Sequence, residues 1–258
     1  MLGVSTADLI SIQKHILGQK KLEGTDKMVA ADVNNDGDIS IIDLLELKKL
    51  ILGIYDQFPQ NTSWRFFDQN IMTRITDHLA LKDFEKPFVE AKKEETALQN
   101  FTGIKVGDVN GSALPQFESL ENRSKKELKI ILPALDLEAN QLMEIPVSAD
   151  LENIEGLQGE IKIANCTILG IKENSGRIGL NSFKNDEFTQ GILRFSWLRP
   201  MELKGEKGNQ LLFTVYVRSA TKGKLANSLS INSQKIRPEA YSYDLDRLEL
   251  KLAFEAKA

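Results

Sequence analysis

The sequence is poor in the residues that carry most enzyme chemistry and most covalent cross-links. Its 258 residues include one cysteine, Cys166, and two histidines, His15 and His78. A single cysteine excludes an internal disulfide framework and a cysteine-based zinc site. Two histidines leave little for imidazole chemistry, and neither lies near a serine or cysteine nucleophile motif. We therefore expect a protein that is not an enzyme.

The sequence also lacks an excess of charge of one sign and long apolar runs. Its 33 Lys and Arg residues against 37 Asp and Glu residues give a net charge of −4. Nucleic acids require a concentrated basic surface, so we expect no nucleic-acid partner. No apolar run approaches the roughly 18 residues of a membrane-spanning helix. The 41% hydrophobic and 27% charged composition is typical of a folded chain with one or two domains.

A repeat near the N-terminus is the first positive feature. Residues 3–18 align with residues 38–53 at a shift of 35, and seven of the 16 aligned pairs are identical. Each copy has apolar residues at helical spacing and ends in a glycine, Gly18 or Gly53. The repeat predicts two short helices that pack on each other.

The second copy of the repeat follows a 12-residue calcium-loop pattern that runs from Asp32 to Asp43. Glycine occupies the sixth position, where such a loop turns sharply, and oxygen-bearing side chains occupy alternate positions. Calcium takes six to eight oxygen ligands, and alternate residues of a curled loop direct theirs to one centre. A solvated acidic turn before a helix is the alternative interpretation. The predicted metal ligands are Asp32, Asn34, Asp36, Asp38, Ser40 and Asp43.

The first copy of the repeat carries only the closing half of such a loop. The segment 108–112, Asp-Val-Asn-Gly-Ser, matches the missing opening half. We therefore consider a second calcium site that is split between two distant segments. The alternative is an ordinary turn after a strand at Asn110-Gly111. The residues of the predicted split site are Ser5, Asp8, Asp108, Asn110 and Ser112.

A duplicated loop and helix with Asp closing each loop resembles a type I dockerin over residues 1–55. The resemblance implies two calcium sites and a cohesin-type protein partner. In dockerins a hydroxylated pair before the closing Asp contacts the partner, and here those positions hold Thr6-Ala7 and Ile41-Ile42. The partner-contacting residues that the resemblance implies are Thr6, Lys14, Lys48 and Lys49.

The C-terminal half has short alternating runs, which predict an antiparallel β-sandwich of about 125 residues. Its order and local sequence resemble a cohesin, a domain that binds dockerins. Carbohydrate-binding modules and fibronectin-like domains share such patterns. The segments that carry the resemblance are 156–163, 193–197, 211–217 and 220–223.

The predicted fold class is therefore α+β multidomain: a small helical, dockerin-like domain of EF-hand type and an antiparallel, cohesin-like jelly-roll sandwich. Strand-like segments at 64–67 and 101–106 lie between these two parts, and we expect them to pack on the helices. A segment rich in Pro, Ser, Asn, Glu and Lys then predicts a linker. The predicted domains are 1–55 (dockerin-like), 56–112 (accessory), 113–126 (linker) and 127–258 (sandwich).

Two functions are consistent with the sequence. The resemblances imply a calcium-dependent interaction, scaffolding or adhesion module of a secreted or bacterial cell-surface protein, with its two parts pairing within or between chains. The alternative is the carbohydrate-binding region of a secreted polysaccharide-degrading enzyme. In that case aromatic side chains would stack on sugar rings, and the candidates are Trp197, Tyr241 and Tyr243.

Overall fold

The helices of the repeat and most of the strands lie in different parts of the chain. The computed structural model describes residues 3–72, 74–81, 84–85, 100–113, 126–174, 179–200, 207–231 and 235–256. Two compact units are formed, one by Met1–Leu50 with Tyr55–Ser119 and the other by Ile51–Ile54 with Leu120–Ala258. The predicted linker at 113–126 lies almost entirely outside the described residues. The domain boundaries derived from the sequence therefore stay predictions.

The two copies of the repeat form two helices of 11 residues each, α1 (Thr6–Ile16) and α3 (Ile41–Ile51). A helix that the repeat did not predict, α2 (Thr25–Ala31), lies between them. Ser5 caps α1, because its hydroxyl oxygen accepts a hydrogen bond from the Ala7 amide. The helical spacing of the apolar residues buries Leu9, Ile12 and Leu47 completely. 

The rest of the first unit is a two-stranded ribbon with two short helices. Strand β1 (Trp64–Asp68) pairs antiparallel with β2 (Phe101–Lys105), where the alternation of the sequence predicts strands. Helices α4 (Gln69–Met72) and α5 (His78–Leu81) follow β1. Just after β2, the Gly107 amide donates a hydrogen bond to the Ala30 carbonyl at 2.8 Å. The end of β2 is thereby joined to the end of α2.

The second unit contains twelve described strands, one short α-helix, α6 (Leu225–Ser228), and 3-10 helices at Leu180–Ser182 and Phe188–Gln190. The longer strands lie where the short alternating runs of the sequence predict them. Burial alternates along Glu127–Ala134, whereas Ile192–Leu198 is buried on both faces. Most of the shorter strands were not predicted, since two to four residues are too few to show a period. The strands are β3 (Glu127–Ala134), β4 (Asp136–Leu137), β5 (Leu142–Asp150), β6 (Ile154–Ile163), β7 (Cys166–Glu173), β8 (Phe183–Lys184), β9 (Ile192–Leu198), β10 (Asn209–Ser219), β11 (Gly223–Lys224), β12 (Leu229–Ser230), β13 (Glu239–Ser242) and β14 (Arg247–Ala256).

Ten of these strands form one sheet that encloses a single core. The strand order is β7-β10-β5-β3-β14-β13-β6-β9-β8, and β12 pairs with β6. All of its pairs are antiparallel except β3 with β14, the first and last strands of the unit. The sheet folds over itself, since Phe213 of β10 contacts Phe195 of β9 and Phe183 of β8, with ring centroids 6.2 and 5.0 Å apart. The α+β class and the β-sandwich predicted from the sequence are confirmed, with one parallel pair added.

No helix in the part of the chain that the structure describes is both long and apolar enough to cross a membrane.

Candidate calcium-binding loops

The contiguous loop 32–43 joins α2 to α3. Asp32 is the residue after the end of α2, and Asp43 lies in the first turn of α3. Between them Gly37 has a φ of 98°, a left-handed conformation that a glycine adopts without the strain of a Cβ. The sixth position of the loop therefore requires glycine, as the calcium-loop pattern predicts.

The Asp43 carboxylate is the centre of the contiguous loop. Its Oδ1 atom accepts hydrogen bonds from the Val33 and Asn34 amides at 2.8 and 3.2 Å. Its Oδ2 atom accepts from the Ser40 amide at 2.8 Å and from the Ser40 hydroxyl at 3.4 Å. One side chain thus joins the opening of the loop to its closing turn.

The other ligand positions of this loop also hold the main chain in a tight curl. Asp32 Oδ2 accepts a hydrogen bond from the Gly37 amide at 3.1 Å. The Asn34 side-chain oxygen accepts from the Asp36 amide at 3.0 Å, and Asp36 Oδ1 accepts from the Asp38 amide at 2.9 Å. Alternate side chains are thereby turned toward the inside of the curl.

Two of the carboxylates are buried, and burial changes their acidity. Asp32 and Asp43 are almost fully buried. Burial raises the pKa of Asp43, the charge of Asp32 raises it further, and the amide hydrogen bonds oppose this rise. The loop therefore concentrates negative charge at a place that water does not reach.

The two segments of the split loop lie against each other in the structure. The Asp8 Oδ1 atom accepts hydrogen bonds from the Val109 and Asn110 amides at 3.0 and 3.3 Å. The Asp8 Oδ2 atom accepts from the Ser5 amide at 2.9 Å and from the Ser5 hydroxyl at 3.3 Å. Segment 108–113 thus meets the N-terminus of α1 although the two are about a hundred residues apart in the chain.

Segment 108–113 is curled in the same sense as the opening half of the contiguous loop. Asp108 Oδ1 accepts a hydrogen bond from the Ser112 amide at 3.0 Å, and Oδ2 accepts from the Ala113 amide at 2.7 Å. The Asn110 side-chain oxygen also accepts from the Ser112 amide at 3.0 Å, and the Ser112 hydroxyl donates to the Gly3 carbonyl at 3.0 Å. The five residues named from the sequence are brought together.

The carboxylates of the split loop are also buried. Asp8 is fully buried and Asp108 is 8% exposed. Burial first, and the Asp108 charge second, raise the pKa of Asp8 to about 8. Two acidic side chains that interact electrostatically are therefore buried in the split loop.

Two residues that the sequence did not single out support the contiguous loop. The Asn61 side-chain amide donates to the carbonyls of Asp32 and Val33, both at 3.1 Å. His78 Nε2 lies 3.3 Å from the Gly37 carbonyl oxygen. No sequence pattern near either residue predicts these contacts, because each contact joins segments at least 28 residues apart.

The ligand chemistry of both loops is that of oxygen alone. No three or more His, Cys, Asp or Glu side chains in the described part of the chain are grouped so as to hold a metal ion. Each loop instead combines carboxylates with amide, hydroxyl and main-chain oxygens. Calcium accepts all of these oxygen types, so the chemistry of the donor set fits that ion.

The residues predicted to contact a protein partner differ in exposure. Thr6 and Lys14 are buried, whereas Lys48 and Lys49 are half-buried. Lys49 Nζ donates a hydrogen bond to Glu46 at 2.9 Å. The largest exposed apolar side chains of α3 are those at its start, and they include Ile41-Ile42, the pair that stands where dockerins have hydroxylated residues. They are Ile41 at 67%, Ile42 at 51% and Leu45 at 40% exposure.

Two of the three aromatic residues considered for sugar stacking are buried and therefore cannot stack on a sugar ring at the surface. Trp197 and Tyr241 are buried, and Trp197 belongs to the core of the sandwich. Trp197 lies on β9, which is buried on both faces, so it contributes to packing and not to a binding surface. Tyr243 is exposed. The carbohydrate-binding alternative stays a prediction that rests on Tyr243.

Comparison with known proteins finds cohesins and a dockerin. No curated protein sequence matches the chain. Similar solved structures include a type I cohesin–dockerin complex from Clostridium thermocellum (14% identity, TM-score 0.37, covering 51% of this chain and 96% of that one). They also include a non-cellulosomal cohesin from Archaeoglobus fulgidus (12% identity, TM-score 0.36, covering 51% of this chain and 92% of that one). A third is a type II cohesin from Bacteroides cellulosolvens (13% identity, TM-score 0.37, covering 50% of this chain and 99% of that one). Similarity at this level carries no information about binding partners.

The family comparison concerns the helical part of the chain. Residues 3–52 match the model of the dockerin type I domain. The matched stretch contains α1, α2, the contiguous loop and α3, together with the closing half of the split loop, but not segment 108–113. The dockerin resemblance predicted from the repeat is confirmed for residues 3–52.

Proposed function

We propose that this chain is an extracellular, calcium-dependent protein-interaction module, in which the dockerin-like helices bind a cohesin-type sandwich. The observation that carries the proposal is the contiguous loop 32–43. It lies within the stretch that matches the dockerin type I domain, and it curls around the buried Asp43 carboxylate. Dockerin domains are non-catalytic interaction domains, and the match over residues 3–52 supports a role in binding. We propose the extracellular setting because the dockerin resemblance favours it and calcium is abundant outside cells.

Calcium supplies the positive charge that this loop lacks. The residues that would hold it are Asp32, Asn34, Asp36, Asp38, Ser40 and Asp43. Like charges of Asp32 and Asp43 are buried close together, and a divalent cation offsets their repulsion. Ion binding therefore contributes to the folding free energy of the helices that flank the loop.

The apolar start of α3 is the surface that we assign to the partner. Ile41 and Ile42 are exposed at the position where dockerins have their hydroxylated contact pair. Ile42 also lines a cavity of about 210 Å³, together with Tyr55 and Phe58. An apolar side chain of the partner fits such a cavity, and burial of exposed aliphatic groups drives association.

The experiment is a calcium-dependent binding measurement on the full chain. Analytical ultracentrifugation measures self-association, and calorimetry measures binding to a purified type I cohesin, each in calcium and in EGTA. We expect association in calcium and its loss in EGTA. Small-angle scattering on the same samples detects pairing within one chain, as a calcium-dependent decrease in radius without association.

A charged substitution at the start of α3, the surface assigned to the partner, tests where binding occurs. The variant Ile42→Asp is expected to weaken association roughly tenfold or more, because it buries a charge at the contact. Leu79→Asp is the matched control, since Leu79 is an exposed aliphatic residue of the same unit. Equal affinities of the two variants would contradict the assignment of α3. Affinity that is unchanged in EGTA would contradict the role of calcium.

A further inference from the structure

The closing half of the first dockerin loop has no opening half within the stretch that matches the family. Residues 3–8 lie inside the matched range 3–52, but segment 108–113 lies outside it. In the structure this segment stands against residues 3–8, as the opening half of the contiguous loop stands against its closing half.

The two loops share the same hydrogen bonds to the closing aspartate. The Val109 and Asn110 amides donate to Asp8 Oδ1 at 3.0 and 3.3 Å, and the equivalent Val33 and Asn34 amides donate to Asp43 Oδ1 at 2.8 and 3.2 Å. The sequences agree in the same register. Asp108, Asn110 and Ser112 stand where Asp32, Asn34 and Asp36 stand in the contiguous loop.

The break between the two segments falls at one place in the loop. Ala113 occupies the sixth position and Gly3 the seventh, which are consecutive residues in the contiguous loop. In the structure these two residues touch, because a Cβ added to Gly3 would overlap the Cβ of Ala113. The Ser112 hydroxyl bonds the Gly3 carbonyl across the same junction. The loop is therefore complete in space although it is permuted in sequence.

We propose that Asp108, Asn110 and Ser112 complete, with Ser5 and Asp8, a second calcium site, so that one ion holds segment 108–113 to the start of α1. This inference rests on the calcium-binding function proposed above. It assigns the opening half of a dockerin loop to a segment that follows β2, outside the family match.

The burial of the acidic groups supports a cation at this position. Asp8 is fully buried and Asp108 nearly so, and buried charges require pairing. Lys105 lies near enough for the Asp108 charge to act on it, but no ion pair within 4 Å joins these two residues among the described residues. A divalent cation with six or more oxygen ligands would supply the missing charge between the two carboxylates.

An ion bound by both segments would couple the folding of segment 108–113 to that of α1. The two segments are about a hundred residues apart, and closing so long a chain costs conformational entropy. An ion that binds both segments stabilises the closed state, because it binds the folded chain and not the open one. Calcium would thus control the attachment of β2 to the helices.

The test is the calcium count of the full chain, measured by native mass spectrometry and by calorimetry. We expect two ions in the parent, one in Asp108→Asn and one in Asp32→Asn. Asp56→Asn, an exposed aspartate outside both loops, is the matched control and should keep two. Ser112→Ala leaves every carboxylate in place and is expected to weaken one of the two ions roughly tenfold.

The outcomes separate this inference from the proposed function. One ion in the parent, lost in Asp32→Asn and kept in Asp108→Asn, would overturn the split site while the contiguous site stands. No ion in the parent would overturn both. If Asp108→Asn does not fold, Ser112→Ala decides, and two undisturbed affinities in that variant would overturn the split site.

Discussion

The two units of this protein differ in what stabilises them. The sandwich buries large apolar side chains in one core, among them Trp197, Phe195 and Phe213. The helical unit also has buried apolar residues, but it places four carboxylates out of the water, at Asp8, Asp32, Asp43 and Asp108. Burial of apolar surface stabilises without a ligand, whereas buried like charges do so only with a counter-ion. We therefore expect calcium to stabilise the helical unit and to leave the stability of the sandwich unchanged.

The two loops of the helical unit differ in how they are connected. One is continuous from Asp32 to Asp43, and the other is assembled from segments 3–8 and 108–113. Their hydrogen bonds to the closing Asp are nevertheless the same. The shape of a loop thus depends on which residues meet, and continuity of the chain is one of several ways to bring them together.

The largest effect is expected in the sandwich core. Trp197→Ala removes a buried indole and should lower the free energy of unfolding of the sandwich by about 3–5 kcal/mol. Denaturant unfolding followed by far-ultraviolet circular dichroism measures this loss. Calcium affinity should not change, because the loops belong to the other unit. A loss of calcium binding in this variant would contradict the independence of the two units.

Loss of one calcium ion should have the next largest effect, and only on the helical unit. At a free calcium concentration one hundred times the Kd, one bound ion stabilises by about 2.7 kcal/mol. For a unit of roughly 100 residues, EGTA should then lower the melting temperature by about 10–20 °C for each ion that it removes. Calorimetric scans with and without EGTA measure the shift. A sandwich transition that moves equally would remove the distinction between the units.

Each loop has a glycine in a left-handed conformation, Gly37 at the sixth position of the contiguous loop and Gly111 at the fourth position of the split loop. Gly37 and Gly111 have φ values of 98° and 71°, and alanine at either position should cost about 1–2 kcal/mol. We expect Gly37→Ala to weaken one calcium ion and Gly111→Ala to weaken the other, as measured by calorimetry. At Gly111 nothing lies within 4 Å of an added Cβ, so the effect there is conformational alone. Equal effects of both variants on the same ion would contradict two separate loops.

The serines before the two helices give the smallest effect. The Ser5 hydroxyl oxygen accepts from the Ala7 amide at 3.2 Å, and that of Ser40 accepts from the Ile42 amide at 3.1 Å. Loss of such a cap costs about 1 kcal/mol, so Ser5→Ala and Ser40→Ala should destabilise the helical unit to a similar extent. Thermal melts in EGTA isolate the cap from any ion. A difference well above 1 kcal/mol would show that the two loops are less alike than their hydrogen bonds indicate.

The sequence predicts much of the fold, because local periodicity determines the long elements. The repeat predicts α1 and α3, and alternation predicts the long strands of the sandwich. Helix α2 and strand β13 carry no comparable period and were not predicted. The parallel pairing of β3 with β14 also escapes prediction, since nothing local to either strand encodes its distant neighbour.

The sequence likewise predicts one part of the candidate site and not the rest. The contiguous loop can be recognised from its spacing alone, because its ligand positions lie within 12 residues. The juxtaposition of Asp8 with Val109 was considered only because half of a second pattern was missing. Asn61 and His78 have no pattern at all, since tertiary contacts bring them to the loop. Burial of Trp197 could not be predicted from alternation, because β9 is buried on both faces.

Hydrogen exchange of the full chain with and without calcium tests the difference between the units most directly. We expect calcium to slow amide exchange in residues 3–52 and 101–113, including the Val109 and Asn110 amides, and to leave β3, β6 and β10 of the sandwich unchanged. Exchange in residues 3–52 that is the same with and without calcium would contradict the central claim that calcium organises the helical unit.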